Sequence, residues 1–412
     1  MTVVPPALSR TGSPGTVVSV KVAIVGGGIG GLTAAVALIR AGADVTVLEQ
    51  AEQLAAVGAS LQLGPNATRL LGRLGLLEAL RPVAGRPDAV DLLRWDDGSL
   101  LLHSPHGDGA EEHFGAPQLD FYRPDLHEAL VAALPDGVLH LGARVTGLDQ
   151  TPAGITVAIE SGERVTADAV VVADGIRSLL RQQLVGPEDP VFSGTVVYRG
   201  VVPRAEALDL HPDAVNRYWL GPYRHGVSYW IAAGRLLALN LGVQRANPST
   251  ESWTLTVDAD EAIDQLGGWH EPLRERIRRC RTLLRGAVYV RQPLEHWSFG
   301  RVTLLGDAAH AMEPFQAQGA AQAVEDAYVL GECVAAAGGD LEAAFARYEH
   351  IRMSRAEELQ ATARGTGNEL FLPDGPEQRL RDAAYASLPE TQPWGTRQRI
   401  WEYDVGDALI PA

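Results

Sequence analysis

Three segments of this 412-residue chain carry residue types that chemistry uses, at spacings that chemistry needs. The first is Gly26-Gly27-Gly28-Ile29-Gly30-Gly31, which follows the apolar run Val18 to Val25 and opens a helix-like stretch from Leu32 to Arg40. Gly26, Gly28 and Gly31 have the spacing of a dinucleotide-binding turn. One glycine makes the tight turn, one lets a pyrophosphate reach the backbone, and one lets helix and strand pack closely. The helix N-terminus then offers free N–H groups to the phosphates. Glu49 ends the next strand-like run, Asp44 to Glu49, where a carboxylate can accept from a ribose diol. The other two segments, Val171 to Arg181 and Arg301 to His310, each set an aspartate beside a glycine just past a strand: Asp174-Gly175 and Gly306-Asp307. Such a pair lets the backbone approach a sugar while the acid holds its hydroxyls. A helix beginning near Gly319 would direct its positive end at the same place, where it stabilises negative charge.

A fourth segment could handle a proton. His225 and Tyr229 stand four apart in Arg224-His225-Gly226-Val227-Ser228-Tyr229. In a strand, residues i and i+4 share a face, so the two can meet one ligand. A histidine base is expected to titrate near working pH. Read in isolation, His225 is a loop histidine and Tyr229 a sheet residue. His310 suits the strand-to-helix turn better than the reaction. Arg199, Arg217 and Arg224 are equally eligible to bind an anionic substrate group.

The elements that must position these groups follow from the pattern of apolar residues and breakers. Val18 to Glu49 reads as a β-α-β unit whose helix stops at Gly42. Residues 66–80 predict a second helix, Asp88 to Leu102 a hairpin turning at Asp96-Asp97-Gly98, and Pro124 to Leu134 a helix started by proline. Three strand-like runs fill 139–173. From about Phe192 to Val290 recurring strand candidates, among them Gly194 to Val202, Val227 to Ala232 and Leu236 to Val243, predict a mostly antiparallel sheet inserted into the nucleotide-binding part. Val302 to Leu305 returns to a parallel style of strand before a long helix from Gln318 to Ala337, and the tail from Ala356 predicts helices broken at Pro373, Pro376 and Pro393.

Composition excludes several classes of function. The chain is 46% hydrophobic and 21% charged, an ordinary globular balance, with a net charge of −16 and no Lys/Arg cluster fit for nucleic acid. Cys280 and Cys333 are the only cysteines and lie far apart, which argues against a disulfide framework and against a metal site and suits a reducing cytoplasm. No apolar run is long enough for a membrane span, and residues 1–18 read as a disordered leader that lacks the form of a signal peptide.

Taken together, the three nucleotide segments, in this order and spacing from about Lys21 to Arg355, resemble the group A FAD-dependent aromatic hydroxylases, the para-hydroxybenzoate hydroxylase superfamily. Within it the likeness is to the salicylate, 3-hydroxybenzoate and 6-hydroxynicotinate hydroxylases. The resemblance implies an α/β fold: a Rossmann-like FAD-binding domain of the glutathione-reductase type (19–75, 103–190 and 291–355), an inserted antiparallel substrate domain (76–102 and 191–290), and a C-terminal helical tail (356–412). It implies FAD as cofactor, held by Gly26, Gly28, Gly31, Glu49, Ala59, Arg123, Val145, Asp174, Asp307, Pro314, Gly319 and Ala320. NADH or NADPH would serve as a transient co-substrate, since no second glycine motif is present. Gln62, His225, Tyr229 and Pro314 would line the substrate pocket, with His225 as base and Tyr229 beside it. Gln62 stands where the hydroxynicotinate enzymes carry histidine, and the C-terminal Trp401-Glu402-Tyr403-Asp404-Val405 only partly follows the family pattern. The implied reaction is hydroxylation of a phenolic ring by dioxygen through a flavin C4a-hydroperoxide, on a small aromatic substrate, with no nucleic-acid or membrane partner and a homodimer left open. A halogenase, a saturating reductase and a non-catalytic FAD-binding sensor share the fold, although no Trp-x-Trp-x-Ile-type segment of a halogenase is present.

Overall fold

The computed structural model describes residues 20–54, 60–248, 255–388 and 393–409. The predicted leader at 1–18 and the cofactor-binding candidate Ala59 lie outside them. The nucleotide-binding half is built on a six-stranded sheet in the order Ser298–Phe299, Val302–Leu304, Ala169–Val172, Lys21–Val25, Asp44–Leu48, Leu139–His140. All neighbours run parallel except the outermost strand, Ser298–Phe299. The central strands are short and rich in valine because both faces are covered: all four residues of Ala169–Val172 are buried. The helix Ile29–Arg40 covers one face and stops where Gly42 turns left-handed at φ 91°.

That helix lies parallel to the helix Gly319–Ala336 along a seam of small side chains. A Cβ on Gly30 would come 3.1 Å from the Ala323 methyl, and one on Gly331 would come 2.8 Å from that of Ala37. Nothing larger fits, so the two helix axes are as close as backbones allow.

The second half is an eight-stranded sheet in the order Leu255–Val257, Leu283–Val290, Val191–Pro203, Leu236–Gln244, Arg224–Ile231, Val215–Gly221, Ala89–Arg94, Leu100–Pro105. It is antiparallel except where Val215–Gly221 runs beside Ala89–Arg94. One face packs Trp219, Trp230, Leu239 and Leu241 against Leu273 and Ile277 of the helix Glu271–Arg278. The other face turns toward the two-stranded antiparallel sheet of Ser60–Leu63 and Leu119–Tyr122, where Tyr218 meets Gln62 and Tyr229 meets Ser60.

The architecture is the predicted α/β class, with local differences. The helix predicted over 66–80 is two, Pro65–Arg73 and Leu77–Leu80, because Gly75 sits at φ 76° and breaks the helical hydrogen bonding between them. Residues 139–173 hold five strands where three runs were read, since turns at Pro152-Ala153 and Ser161-Gly162 fold a small antiparallel sheet from Val145–Thr151, Gly154–Ile159 and Arg164–Ala167. The helix Leu341–Leu370 runs unbroken through residue 356, where the tail was read to begin; no proline or glycine interrupts it until Gly365. Among the described residues no helix is long and apolar enough to cross a membrane.

Candidate active site

The glycine turn is held by its own packing. Gly26 has φ 108°, and a Cβ there would meet the Ala173 carbonyl at 2.3 Å; a Cβ on Gly31 would meet the Gly26 carbonyl at 2.0 Å. Gly28, in contrast, faces open space, with nothing within 4 Å of its missing Cβ. It precedes a helix with no side-chain cap and no acid in its first turn, so the first N–H groups point unclaimed into that space. Glu49 pins the turn: Oε2 accepts from the Gly27 N–H at 2.7 Å and Oε1 from the Ala51 N–H at 2.8 Å, leaving lone pairs for a ligand hydroxyl. His127 Nε2 lies 2.6 Å from the Gly27 carbonyl oxygen and fixes it from the helix Arg123–Ala132. Val145 opens its strand just after Ala143, whose N–H donates to the Glu49 carbonyl at 2.8 Å.

The two aspartates enclose the same space from the other side. Asp174 has an Oδ1 with no hydrogen-bond partner, and burial raises its carboxyl to about 6 against the pull of Ser178. Asp307 is accessible to solvent although much of its surroundings is protein. Burial pushes its carboxyl up, and His310 and Arg123 pull it back down. A Cβ on Gly319 would stand 4.0 Å from Asp307 Oδ1, so the uncapped start of the helix Gly319–Ala336, with Gly319 and Ala320 in its first turn, borders this acid. Pro314 begins the turn Pro314–Gln316, which Ala317 ends at φ 54°. An uncapped helix start, an open glycine cradle, two acids lining one channel and a second helix start match what FAD requires along its length, and the residues present fit it. A Gly31→Ala variant is accordingly expected to purify without visible flavin absorbance. Retention of a full complement of flavin would contradict this placement.

The substrate-side pocket lies on the face of the large sheet toward the two-stranded sheet. Four strands pair Arg199 with Asn240, Asn240 with Val227, and Val227 with Tyr218 in one row. At a strand spacing of about 4.8 Å this row spans about 14 Å from Arg199 to Tyr218. His225 and Tyr229 flank Val227 along their own strand, about 13 Å apart at ~3.4 Å per residue, on the same face. They do not hydrogen-bond to each other. Tyr229 donates to Ser60 Oγ at 2.7 Å, and Asn240 Nδ2 donates to the same oxygen at 3.1 Å. Tyr218 donates to Gln62 Oε1 at 2.7 Å. Arg199 is walled in, and burial lowers its guanidinium to about 10 while the Tyr229 phenol counters. Of the other two arginines, Arg217 is bound through two 2.7 Å contacts to Asp213, and Arg224 stands at the far end of its strand with NH1 on the Pro222 carbonyl.

His225 packs edge-on against Phe315 at 5.6 Å and Phe371 at 5.0 Å, and its Nδ1 has no partner. Burial alone brings its imidazole down to about 4, well below the range near working pH that the sequence suggested. The physical reason is the aromatic box: no acid faces the ring to stabilise its cation. The ring is therefore neutral at pH 7 with a lone pair ready to accept. In holoenzyme, the His225 ring signal in NMR, assigned by its loss in His225→Gln, should show no protonation between about pH 8 and pH 5.5. A midpoint near the usual imidazole value would contradict the enclosed ring. A cleft of about 360 Å³ opens on the outer side of Phe315 and Phe371, beyond the ring.

Beneath the channel lies a fully buried ionic network. Arg352 donates from Nε to Asp326 at 2.8 Å and from NH1 to Glu325 at 2.6 Å. Asp326 Oδ2 also accepts from the Gly306 N–H at 3.0 Å and lies 2.6 Å from His310 Nε2. Asn66 Nδ2 donates to Glu325 at 2.7 Å and to Gln318 at 3.0 Å. Burial would raise the Asp326 carboxyl, but His310 and Arg352 outweigh it and hold it low. His310 thus anchors the Gly306-Asp307 turn from below.

Sequence reasoning left out Tyr218, Asn240, Phe371 and Asp120. One signal was available: Asp120 sits between Leu119 and Phe121 in a strand, an acid where an apolar residue would pack.

Comparisons with known proteins come to the same place. Residues 19–363 match the FAD binding domain family. The chain is 41% identical over 383 residues to a 3-amino-4-hydroxybenzoate 2-monooxygenase of Streptomyces platensis, covering 93% of this chain and 94% of that protein. It is 35% identical to a 6-hydroxynicotinate 3-monooxygenase of Pseudomonas fluorescens, over 83% of this chain and 90% of that one. Among solved structures, a salicylate hydroxylase substrate complex superposes with a TM-score of 0.80 at 27% identity, covering 95% of this chain and 97% of its own. Klebsiella pneumoniae HpxO complexed with FAD and uric acid gives 0.80 at 26% identity, covering 95% and 96%.

Proposed function

The chain belongs to the FAD binding domain family and is an FAD-dependent aromatic monooxygenase, and from that premise we propose that its substrate is a hydroxybenzoate carrying an amino group on the ring. The observation that carries the reading is the row Arg199, Asn240, Val227, Tyr218 with His225 and Tyr229 on either side of its middle. Val227 makes an apolar floor the width of one ring. Arg199 and Tyr229 form a corner with one cation and one phenol, suited to a carboxylate. Burial pushes the Tyr229 phenol up, so it stays protonated and uncharged beside the carboxylate, its own proton directed at Ser60 Oγ, while Arg199 supplies the donors. His225 stands at the opposite corner, where its neutral ring accepts the hydrogen bond of the ring hydroxyl and takes up its proton as the ring gives electrons to the incoming oxygen. A phenolate is richer in electrons than a phenol, and electrophilic hydroxylation needs that density.

When bound, FAD takes a hydride from NAD(P)H and activates dioxygen so that one oxygen atom can pass to the ring. This chain's residues do the rest. Gly28 and the start of the helix Ile29–Arg40 would hold the pyrophosphate, Glu49 the ribose, and Asp307 with the start of the helix Gly319–Ala336 the far end of the cofactor. Phe315 and Phe371 shield the His225 side from water, which limits loss of activated oxygen before it meets the ring.

The test is a panel of 3-amino-4-hydroxybenzoate, 4-hydroxybenzoate, 3-hydroxybenzoate and 6-hydroxynicotinate, scored by NAD(P)H oxidation and product mass. One hydroxylated product per NAD(P)H with the amino compound supports the reading. Oxidation of NAD(P)H that yields no hydroxylated amino compound would remove it.

A further inference from the structure

Resting on the substrate reading above, we propose that Asp120, Gln62 and Asn216 form a receptor for the ring amino group, and so set the preference for an aminophenol over other phenols. Gln62 and Asp120 are directly opposed in the two-stranded sheet of Ser60–Leu63 and Leu119–Tyr122, so their side chains leave it on one face. On that face Ser60 takes the Tyr229 hydrogen bond, which sets the small sheet over the pocket. Gln62 lies against Tyr218, and Asp120 Oδ2 accepts from Asn216 Nδ2 at 2.7 Å. Tyr218 and Asn216 are two apart on one strand and so project to the same side as Tyr229. The cluster therefore borders the ring site on the side away from Arg199.

Its hydrogen bonding is incomplete in a way that a ligand would complete. Gln62 is 9% exposed, and its Oε1, which takes the Tyr218 hydrogen bond, has a second lone pair for an N–H donor; Gln118 is 5% exposed, its Nε2 donates to Asp120 Oδ1 at 3.0 Å, and its Oε1 has no partner. Asp120 is 1% exposed and accepts from the Gln118 and Asn216 amides, with the Gln62 amide also drawing on it, while a carboxylate can accept about four. Burial lifts its carboxyl to about 7, and Gln118, Asn216 and then Arg397 pull it down. The Arg397 guanidinium lies 5.3 Å from the centre of the Tyr218 ring. That cation would repel an ammonium group. An aromatic amine is neutral, because its lone pair is drawn into the ring, and it presents N–H donors without charge. With the carboxylate at Arg199 and Tyr229 and the hydroxyl at His225, an amine ortho to that hydroxyl falls on the Tyr218 and Gln62 side.

The experiment uses FAD-loaded enzyme and three ligands: 4-hydroxybenzoate bearing 3-amino, 3-methyl, or no 3-substituent. Methyl matches the amine in size and cannot donate. Binding is read from perturbation of the flavin spectrum, and kcat/KM from product formation. The wild-type enzyme should favour amino over methyl by about tenfold or more. Asp120→Asn, which keeps shape and removes the charge, should shrink that amino-over-methyl ratio to about threefold or less. Gln62→Leu, an independent variant that does not disturb Asn216, should shrink it likewise. Equal affinity for amino and methyl in wild-type enzyme overturns the receptor, and so does a full preference in a folded, flavin-bound Asp120→Asn or Gln62→Leu protein. Hydroxylation of these benzoates without any amine preference defeats the receptor alone; failure to hydroxylate any of them defeats the substrate reading beneath it.

Discussion

His225→Ala should leave the protein yellow and folded yet slow ring hydroxylation by about 10²–10⁴-fold, the usual contribution of a positioned base. The expectation follows from placement. The ring is fixed by Phe315 and Phe371, and its Nδ1 has no partner. No other described base shares its corner of the sheet face, where the neighbours in the same row are Gly242 and Leu220. A substrate added as a preformed phenolate, at a pH above its own pKa, should recover much of the lost rate. Stopped-flow measurement of the hydroxylation step with enzyme already reduced would isolate the effect from reduction by NAD(P)H. Full activity in the alanine variant would remove His225 from the mechanism. Recovery at high pH absent, with the rate still low, would assign the histidine to ring positioning.

The second large effect is on stability. Arg352→Met should destabilise the protein by about 3–5 kcal/mol, because it strands two buried carboxylates. Asp326 and Arg352 are 0% exposed and Glu325 is 1% exposed, so water cannot replace the lost partner. Arg399→Met is the contrasting case. Its partner Glu358 lies 2.6 Å away, but the arginine is largely in solvent, and the loss should be at most about 1 kcal/mol. Thermal or urea unfolding of both variants gives the comparison. Arg352→Met should also bind flavin poorly, since Asp326 holds the Gly306 N–H beside Asp307. Equal stability of the two variants would show that the buried network contributes nothing beyond a surface pair.

What the sequence reveals of this molecule is set by how local the cause is. Gly26, Gly28, Gly31 and Glu49 act within one β-α-β unit, so spacing alone brings them together. Asp174 and Asp307 are distant in sequence, but each follows a strand of the same parallel sheet, and the ends of parallel strands lie side by side. The pocket is different. Tyr218, Asn240 and Arg199 become neighbours only through the register of the ladder, and a one-residue slip would turn each of them to the other face. Phe371 reaches His225 from the end of a helix that started thirty residues earlier at Leu341, so no pattern near His225 announces it. The low pKa of His225 was equally invisible, because it comes from those two rings and not from the residues beside it in the chain.

The seam of Gly30 with Ala323 and Ala37 with Gly331 ties two otherwise separate cofactor contacts into one rigid caliper. One jaw is the helix start at the phosphates and the other is the helix start near Asp307. Because only methyl groups meet glycines across the seam, the gap between the jaws cannot be tuned by rotamer changes there. A longer or shorter nucleotide could not be gripped at both ends at once, so this fixed span selects cofactor length, and Glu49 and Asp307 are left to hold the groups along it.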